Sequence, residues 1–360
     1  MTVQPVPSQG NDVRLIEAGF PCHQVGAETR RERGASSALP PLYYLHVWWA
    51  RRPLTPSRAA VLGSLLPADT DVDWFLRELG IEQVQADVNG VRWVLTGTLV
   101  ERVVTLPSGE AVLPVDSVVL RALQKEQERR QKNRATIDRL IAAEASLRSH
   151  PVVIRWADDS RPLPEPFPSE GTYLHVYRVA ADPAHVNERI DFARNEAVQA
   201  LGRAIQWDPE DLYGYSRAYQ HHPTRTREPK VVLDPTAGGG SIPFEALRLG
   251  HKVIANDLNP VAAVILHATL DYPARFGADL VSDIERWGKR LVSHVESEMR
   301  DVTPFSPLPP EERERLRQHC RHCPDLVKEF DVPESDQIGL LYARQVTCPH
   351  CGGEAPLLNT

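Results

Sequence analysis

The feature that most constrains this chain is a glycine-rich turn between two short apolar runs, within residues 230–260. The first run, residues 231–233, leads into Asp-Pro-Thr-Ala-Gly-Gly-Gly at 234–240. The second run, residues 252–255, ends on Asn-Asp-Leu-Asn-Pro at 256–260. Residues 241–249 between them have the composition of a helix and are followed by Gly250, a common helix stop. A strand, a turn, a helix and a second strand make one βαβ unit.

Each part of this unit suits a ligand. Glycines let the backbone adopt positive φ and let a ligand approach closely, because no Cβ is in the way. Ser241 can cap the helix, whose N-terminal amides suit a carboxylate or phosphate. Asp257 can accept hydrogen bonds from ribose hydroxyls, and Asp234 would face a cationic or donor group. The predicted cofactor contacts are Asp234, Pro235, Thr236, Ala237, Gly238, Gly239, Gly240, Asn256, Asp257 and Asn259.

Dinucleotides and S-adenosylmethionine both fit such a turn with a later acid. The dinucleotide fingerprint G-x-G-x-x-G needs a glycine three residues after Gly240, where this chain has Pro243. Asp234-Pro235 is also foreign to that fingerprint. The turn and the Asn256-Asp257 pair instead resemble the cofactor motifs of amino-methylating DNA methyltransferases, although Thr236 stands where that family usually has an aromatic residue. A glycine-rich loop of another α/β protein remains the alternative.

Composition sets broader limits. The chain has 360 residues, 42% hydrophobic and 25% charged, as is ordinary for a globular protein of two or three domains. No apolar run approaches the ~18 residues of a membrane span, and the N-terminus does not resemble a secretion signal. The net charge of −7 means that any nucleic-acid-binding surface must be local. Five cysteines without a secretion signal favour a reducing compartment, so we expect a cytoplasmic protein.

Residues 29–68 form a local basic stretch. It contains six arginines against one glutamate, with tyrosines and tryptophans among them. Arginines contact phosphates and aromatic rings stack on bases, so this block is a candidate DNA contact. The alternative is a small core with arginines paired to acids elsewhere. The candidate nucleic-acid contacts are Trp48, Trp49, Arg51, Arg52 and Arg58.

The same stretch carries a second resemblance. The sequences IEAGFP at 16–21, HVWWARRPL at 46–54, SRA at 57–59 and SLLP at 64–67 resemble the opening of a prokaryotic family of adenine-specific DNA methylases with a zinc ribbon. That family begins with a short domain of unknown function carrying Trp-Trp-Ala-Arg-Arg-Pro. The resemblance implies S-adenosylmethionine and zinc as cofactors and DNA as the partner. It does not imply what the arginines do.

Four cysteines lie near the C-terminus as two C-x-x-C pairs separated by 24 residues. Two such knuckles are typical of a closed, tetrahedral structural zinc site. The predicted ligands are Cys320, Cys323, Cys348 and Cys351, and the second pair, Cys-Pro-His-Cys-Gly, also resembles the zinc ribbon of the methylase family. His319, His322 and His350 are alternative ligands.

One expected element is missing. Adenine-N6 methylases use an (Asp/Asn/Ser)-Pro-Pro-aromatic loop that accepts hydrogen bonds from the amine and stacks on a flipped base. Pro-Pro occurs only at residues 40–41 and 309–310, with leucine before each and no aromatic after. The resemblance therefore covers only the N-terminal portion of the family architecture, and we expect another segment or a partner subunit to carry the catalytic loop.

The predicted fold class is α/β: an incomplete Rossmann-like S-adenosylmethionine-dependent methyltransferase core with an N-terminal α+β domain and a C-terminal zinc ribbon. The predicted segments are an Arg/Trp-rich domain at 1–70, an α+β and helical insert with a Pro-rich connector at 71–183, the cofactor-binding core at 184–305 and the zinc-ribbon segment at 306–360. The predicted function is an adenine-N6 DNA methyltransferase or its cofactor-binding part, inactive alone. The alternative is a non-catalytic, zinc-containing nucleic-acid- or protein-binding subunit with a methylase-like fold.

Overall fold

The structure, a computed structural model, describes residues 12–34, 38–46, 52–206, 209–299, 306–307, 309–319, 334–335, 344–347 and 354–357. The chain divides into two compact units, Met1–Arg275 and Phe276–Thr360. The first unit therefore contains the predicted segments 1–70 and 71–183 and most of 184–305. Among the described residues, no helix has both the length and the hydropathy of a membrane span.

Helices and strands alternate irregularly through the first two hundred residues. They are α1 Cys22–Arg33, α2 Leu42–Leu45, α3 Leu54–Leu65, α4 Val72–Glu78, β1 Glu82–Val88, β2 Val91–Leu95, α5 Thr98–Glu101, β3 Val104–Thr105, β4 Ala111–Pro114, α6 Ser117–Ala143, α7 Pro151–Asp159, β5 Tyr173–Ala180, α8 Pro183–Arg194 and α9 Glu196–Leu201. The strands among them form one antiparallel sheet in the order β2-β1-β5-β4-β3. The fold is mixed α/β, and its largest described sheet is antiparallel.

The β1–β2 hairpin is set by its turn. Asn89 and Gly90 both have positive φ, 51° and 85°, as a two-residue type I′ turn requires, and the register pairs Val88 with Val91. Alternate residues of β1, including Val84 and Ala86, are buried against α6 and the rest of the sheet. Asn89-Gly90 before the alternating residues 91–106 predicts a hairpin, and the structure has one. The second strand is shorter than this pattern predicts, because β2 ends at Leu95 and α5 follows.

Residues 119–149 are highly charged, contain no Gly or Pro and are rich in good helix formers, which predicts a long helix. It is present as α6 and ends at Ala143. The Asp116 carboxylate caps it by accepting from the amides of Val118 and Val119. Its buried stripe includes Leu123 and Ile137, which supports the interpretation of a solvated helix with one packed face.

The apolar, β-branched run at residues 152–156 predicts a strand, and that prediction is wrong. These residues lie in α7, which begins with Pro151 after the cap residue His150. Val152, Val153 and Trp156 are buried together on one helical face, so burial at i, i+1 and i+4 outweighs the strand preference of β-branched residues.

The predicted βαβ unit is confirmed. After α10 Pro209–Tyr213, the chain forms β6 Val231–Asp234, α11 Ser241–Arg248 and β7 Lys252–Ala255. The two strands are parallel, with Val231 opposite Lys252 and Asp234 opposite Ala255. They are followed by α12 Pro260–Leu266, a π-helical turn His267–Asp271, and α13 Tyr272–Phe276.

Helix α3 packs against α11. Val61 of α3, with Ala246 and Leu249, forms a buried cluster against which Val232 and Val253 of the strands also lie. One face of the β6–β7 pair is therefore covered by helices. On the other face, Val231, Leu233 and Ile254 are 63%, 62% and 56% exposed. Parallel sheets are normally buried on both faces, so this pair is an incomplete sheet within the described part of the chain.

The second unit contains α14 Asp279–Met299, β8 Ser306–Pro307, α15 Pro310–His319, β9 Glu334–Ser335, β10 Arg344–Thr347 and β11 Glu354–Leu357. β8 pairs with β9, and β10 with β11, both antiparallel. The apolar spacing within residues 278–300 predicts an amphipathic helix with one face in the core, and the helix is present as α14. None of the residues of α14 is buried, however, and Ile284, Trp287 and Leu291 are 57–62% exposed.

Candidate cofactor site at the glycine-rich turn

Two of the three glycines have conformations that favour glycine. Gly238 and Gly240 have φ of 52° and 80°. Gly240 is the N-cap of α11, and a Cβ there would lie 3.0 Å from Leu266 and 3.3 Å from Leu270. The turn thus combines left-handed backbone with close packing against the residues that follow β7, and both features disfavour a side chain at position 240.

Hydrogen bonds close the turn onto the end of β7. Asp257 Oδ2 accepts from the amide of Gly238 at 2.8 Å, and its Oδ1 accepts from the amide of Asn259 at 2.9 Å. The amides of Asn259 and Gly238 lower the pKa of Asp257 below its usual range, so the carboxylate is charged at neutral pH. An ionised carboxylate has about four acceptor positions, and these two bonds leave room for further donors.

The other predicted contacts surround this bond. Asp234 is 9% exposed and accepts from the amide of Thr236 at 3.1 Å. The Asn256 side chain donates to the carbonyl of Pro235, and the amide of Ala237 donates to the carbonyl of Asn256. The structure therefore brings residues 234–240 and 256–259 together at the ends of β6 and β7. That they bind a cofactor stays a prediction.

Ser241 does not cap α11 with its side chain, contrary to the sequence prediction. Its Oγ instead donates to the backbone carbonyl of Arg52 at 2.7 Å. Gly240 occupies the cap position, so the first amides of α11 receive no side-chain cap. This leaves an uncapped helix N-terminus at the turn, which suits an anionic group.

A cavity of about 350 Å³ lies beside Asp257. Its lining is mostly apolar with a few polar groups, and comprises Leu247, Val253, Ala255, Asn256, Asp257, Ala263, Leu266, His267, Leu270, Asp271 and Ala274. This size and character suit one flat, partly polar group. The cavity residues after Pro260 were not predicted, because they become neighbours of Asp257 only through the turn between β7 and α12.

Leu258 is a second residue that the sequence prediction missed. It follows Asp257 directly and is 99% exposed. A large apolar side chain so exposed beside a polar site is available to pack against a ligand. The sequence signal was its position immediately after the predicted ribose-binding acid.

A larger groove of about 760 Å³ lies along the antiparallel sheet. It brings together both signs of charge, including Arg178, Arg217, Glu82 and Glu101, and the guanidinium of Arg178 is already paired with Glu82. None of the predicted site residues lines it. Its balanced charge does not indicate one class of ligand.

The predicted nucleic-acid contacts divide into three cases. Trp48, Trp49 and Arg51 lie outside the described residues. Arg52 is exposed and adjoins the turn through its carbonyl. Arg58 has no exposed surface and is ion-paired with Glu245, whose side chain is also fully buried. Burial is at odds with a nucleic-acid contact through Arg58 and corrects that prediction in favour of the alternative, an arginine paired with an acid elsewhere.

The four predicted zinc ligands, Cys320, Cys323, Cys348 and Cys351, also lie outside the described residues. Within the part of the chain that the structure describes, no group of three or more His, Cys, Asp or Glu side chains could hold a metal ion.

Comparison with known protein families gives a match to the N-terminal part of the chain. A family model described as a protein of unknown function (DUF1156) matches residues 19–90, which contain α1 to β1 and the β1–β2 turn. Neither the curated proteins nor the solved structures include a significant match to this chain. The resemblance is therefore supported for its N-terminal domain of unknown function. Its methylase and zinc-ribbon parts stay predictions.

Proposed function

We propose that this chain is the cofactor-binding part of an S-adenosylmethionine-dependent DNA methyltransferase that acts on adenine N6. The observation that carries the proposal is the bond between the Gly238 amide and Asp257, which joins the glycine-rich turn to an ionised acid beside a cavity. A glycine turn, a helix N-terminus and an acid at the next strand end form a site for a ligand with a nucleoside and an anionic end.

The residues of the site fit the proposed cofactor. Asp257 has acceptor positions left for two ribose hydroxyls, and Leu258 and the cavity provide apolar surface for a base. The uncapped amides of α11 suit the carboxylate, and Asp234 suits the ammonium group of the amino-acid end. When bound, the cofactor supplies a methyl group on a sulfonium. The described residues bind and orient it.

The incomplete β6–β7 sheet supports a further segment or partner subunit. Val231, Leu233 and Ile254 leave apolar area on one face, and the two strands among the described residues are too few for an independently stable sheet. A segment that adds strands and covers this face is the natural carrier of the Asp/Asn-Pro-Pro-aromatic loop, which the chain lacks in sequence. That loop is needed because the lone pair of adenine N6 is delocalised into the ring.

DNA and zinc belong to the same proposal. Arg52 is exposed beside the turn, and Trp48, Trp49 and Arg51 precede it directly, so this block is proposed to contact DNA near the cofactor. In the sequence, Cys348 and Cys351 lie between strands β10 and β11, which pair antiparallel, and their C-x-x-C spacing is typical of a structural zinc site. Metal analysis of the purified chain and of Cys348→Ser tests the zinc site. We expect about one equivalent of zinc in the wild-type chain and its loss in Cys348→Ser.

The alternative is a non-catalytic, zinc-containing subunit that binds nucleic acid or protein. The missing catalytic loop favours it. The ionised Asp257 beside the cavity favours the first proposal, because together they offer acceptors and apolar surface to one ligand.

Methyl transfer tests the proposal. Labelled S-adenosylmethionine is incubated with unmethylated DNA and this chain, alone and with candidate partner subunits that carry the missing loop. We expect no transfer by the chain alone, transfer to adenine N6 with a partner, and loss of that transfer in Asp257→Ala.

Asp87→Ala is the matched control, because Asp87 likewise accepts an amide bond, from Gly90 at 2.7 Å, but lies in the β1–β2 hairpin. Transfer by the chain alone would show that other residues activate the amine. Cofactor binding without transfer with any partner would favour the non-catalytic alternative.

A further inference from the structure

Arg58 joins four parts of the first unit through one buried guanidinium. Its Nε donates to Glu245 Oε2 at 2.7 Å, and its Nη2 lies 3.4 Å from Oε1 of the same carboxylate. Its remaining donors reach the carbonyls of Leu79, Ala218 and His221 at 3.1–3.4 Å. The guanidinium thus connects α3, the end of α4, the 218–221 turn and α11, and both charged side chains are fully buried.

Glu245 lies one helical turn after Ser241, at the start of the helix that follows the glycine-rich turn. Ser241 Oγ donates to the carbonyl of Arg52, the residue two positions before α3 begins. The segment 52–58 therefore holds α11 at its first and second turns. Through Gly240, α11 continues directly into the turn that Asp257 closes.

The apolar contact between α3 and α11 cannot by itself fix this geometry. Val61, Ala246 and Leu249 pack closely, but hydrophobic contact is non-directional and tolerates sliding of one helix on another. A charge-assisted bond from a planar guanidinium is directional and has a fixed reach. Arg58 is thus suited to fix the position of α11 along its axis and the direction of its first amides.

We propose that Arg58 is a positioning residue, through which the N-terminal block that matches the family of unknown function orients α11 and its glycine-rich turn for cofactor binding. Its effect on cofactor affinity rests on the proposed function. Its effect on the order of α11 does not. This gives residues 52–58 a role in holding the cofactor helix, distinct from contacting DNA.

The chain offers a matched control. Arg130 is also a buried arginine, 4% exposed, whose Nε donates to Glu126 at 2.6 Å and whose other donors reach the carbonyls of Arg161 and Arg92. It lies on α6 and donates no hydrogen bond to α11. Arg58→Lys and Arg130→Lys therefore remove the same chemistry, the planar fork, at two places that differ in their connection to the turn.

Hydrogen exchange of the full-length chain tests the positioning role without cofactor. The amides of residues 236–248 and of α6 are followed in both variants, well below their unfolding temperatures. We expect Arg58→Lys to speed exchange at 236–248 by about tenfold or more and to leave α6 unchanged. We expect Arg130→Lys to speed exchange in α6 and to leave 236–248 unchanged. Equal acceleration of both segments in Arg58→Lys, or none at 236–248, would overturn the proposal.

Calorimetric titration with S-adenosylmethionine then tests the consequence. We expect Arg58→Lys to weaken binding at least about fivefold, with Arg130→Lys close to wild type, since couplings between separate sites are typically about 5- to 150-fold. Unchanged affinity in Arg58→Lys would remove the role in cofactor binding. Absence of binding to the wild-type chain would count against the proposed function, while exchange still decides the positioning role. If Arg58→Lys does not fold, the double variant Arg58→Met/Glu245→Leu replaces it in both measurements.

Discussion

The two partners of the buried Arg58–Glu245 pair are not equivalent, and removing one or the other should lower the free energy of unfolding by different amounts. Arg248 also bonds Glu245, with Nη1 2.8 Å from Oε1, and its side chain is partly exposed. In Arg58→Met, Glu245 keeps this second cation. In Glu245→Leu, Arg58 keeps only carbonyl acceptors. The fully buried Arg58 and the partly exposed Arg248 then lose the carboxylate that lies between them.

The expected costs follow from these contacts. Glu245→Leu leaves an unpaired buried charge, which typically costs about 3–5 kcal/mol. Arg58→Met removes a charged hydrogen bond and leaves the carbonyl of Leu79 without that donor, at about 1.5–3 kcal/mol. The double variant removes both charges and should cost less than Glu245→Leu alone, because well-packed apolar replacements of an ion pair are often nearly neutral.

Urea and thermal unfolding of the four proteins form a double-mutant cycle. Each kcal/mol should shift the midpoint of the Met1–Arg275 unit by roughly 2–4 °C, so Glu245→Leu should melt lowest. If Arg58→Met proves as destabilising as Glu245→Leu, or the double variant is worse than either, then the pair is not arranged as described and the reasoning from Arg248 is wrong.

Three further outcomes are expected. Gly240→Ala should destabilise the chain by about 1–3 kcal/mol in denaturant unfolding, because it strains a φ of 80° and presses on Leu266. The same change at Gly288, a helical position with open space around it, should not destabilise the chain, because alanine favours a helix more than glycine does. Burial and the charge of Arg58 lower the pKa of His221, so the unfolded chain takes up a proton that the folded chain does not; stability present above about pH 6.5 should fall on acidification, and His221→Gln should reduce that fall in melting midpoint. Asp116→Ala should cost about 0.5–2 kcal/mol by uncapping α6, measured as a lower unfolding midpoint at neutral pH.

Local signals were the most reliable guide to the fold. The βαβ unit, the Asn89-Gly90 hairpin and helix α6 were all foreseen, because turn chemistry, capping and periodicity act within a few residues. The same local rules failed at 152–156, where two valines and an isoleucine suggested a strand. Packing of Trp156 against distant parts of the chain selected a helix instead.

Long-range pairing was the part that sequence could not provide. Arg58 and Glu245 are 187 positions apart, and nothing in either neighbourhood identifies the other as a partner. A block rich in arginine and aromatic residues predicts a nucleic-acid-binding surface, whether its arginines are exposed or buried in the fold. The turn residues were found because one motif contains them, whereas the cavity residues around Leu270 were missed because they lie outside that motif.

The most direct test of the account is calorimetric titration of the full chain with S-adenosylmethionine and, separately, with NAD, for wild type, Asp257→Ala and the control Asp87→Ala. We expect one S-adenosylmethionine site and no binding of NAD. We expect Asp257→Ala to weaken binding about ten- to a hundredfold, because hydrogen bonds to a charged group are lost, and Asp87→Ala to have no effect. Binding of NAD instead, or an S-adenosylmethionine affinity that is unchanged in folded Asp257→Ala, would contradict the proposed cofactor site.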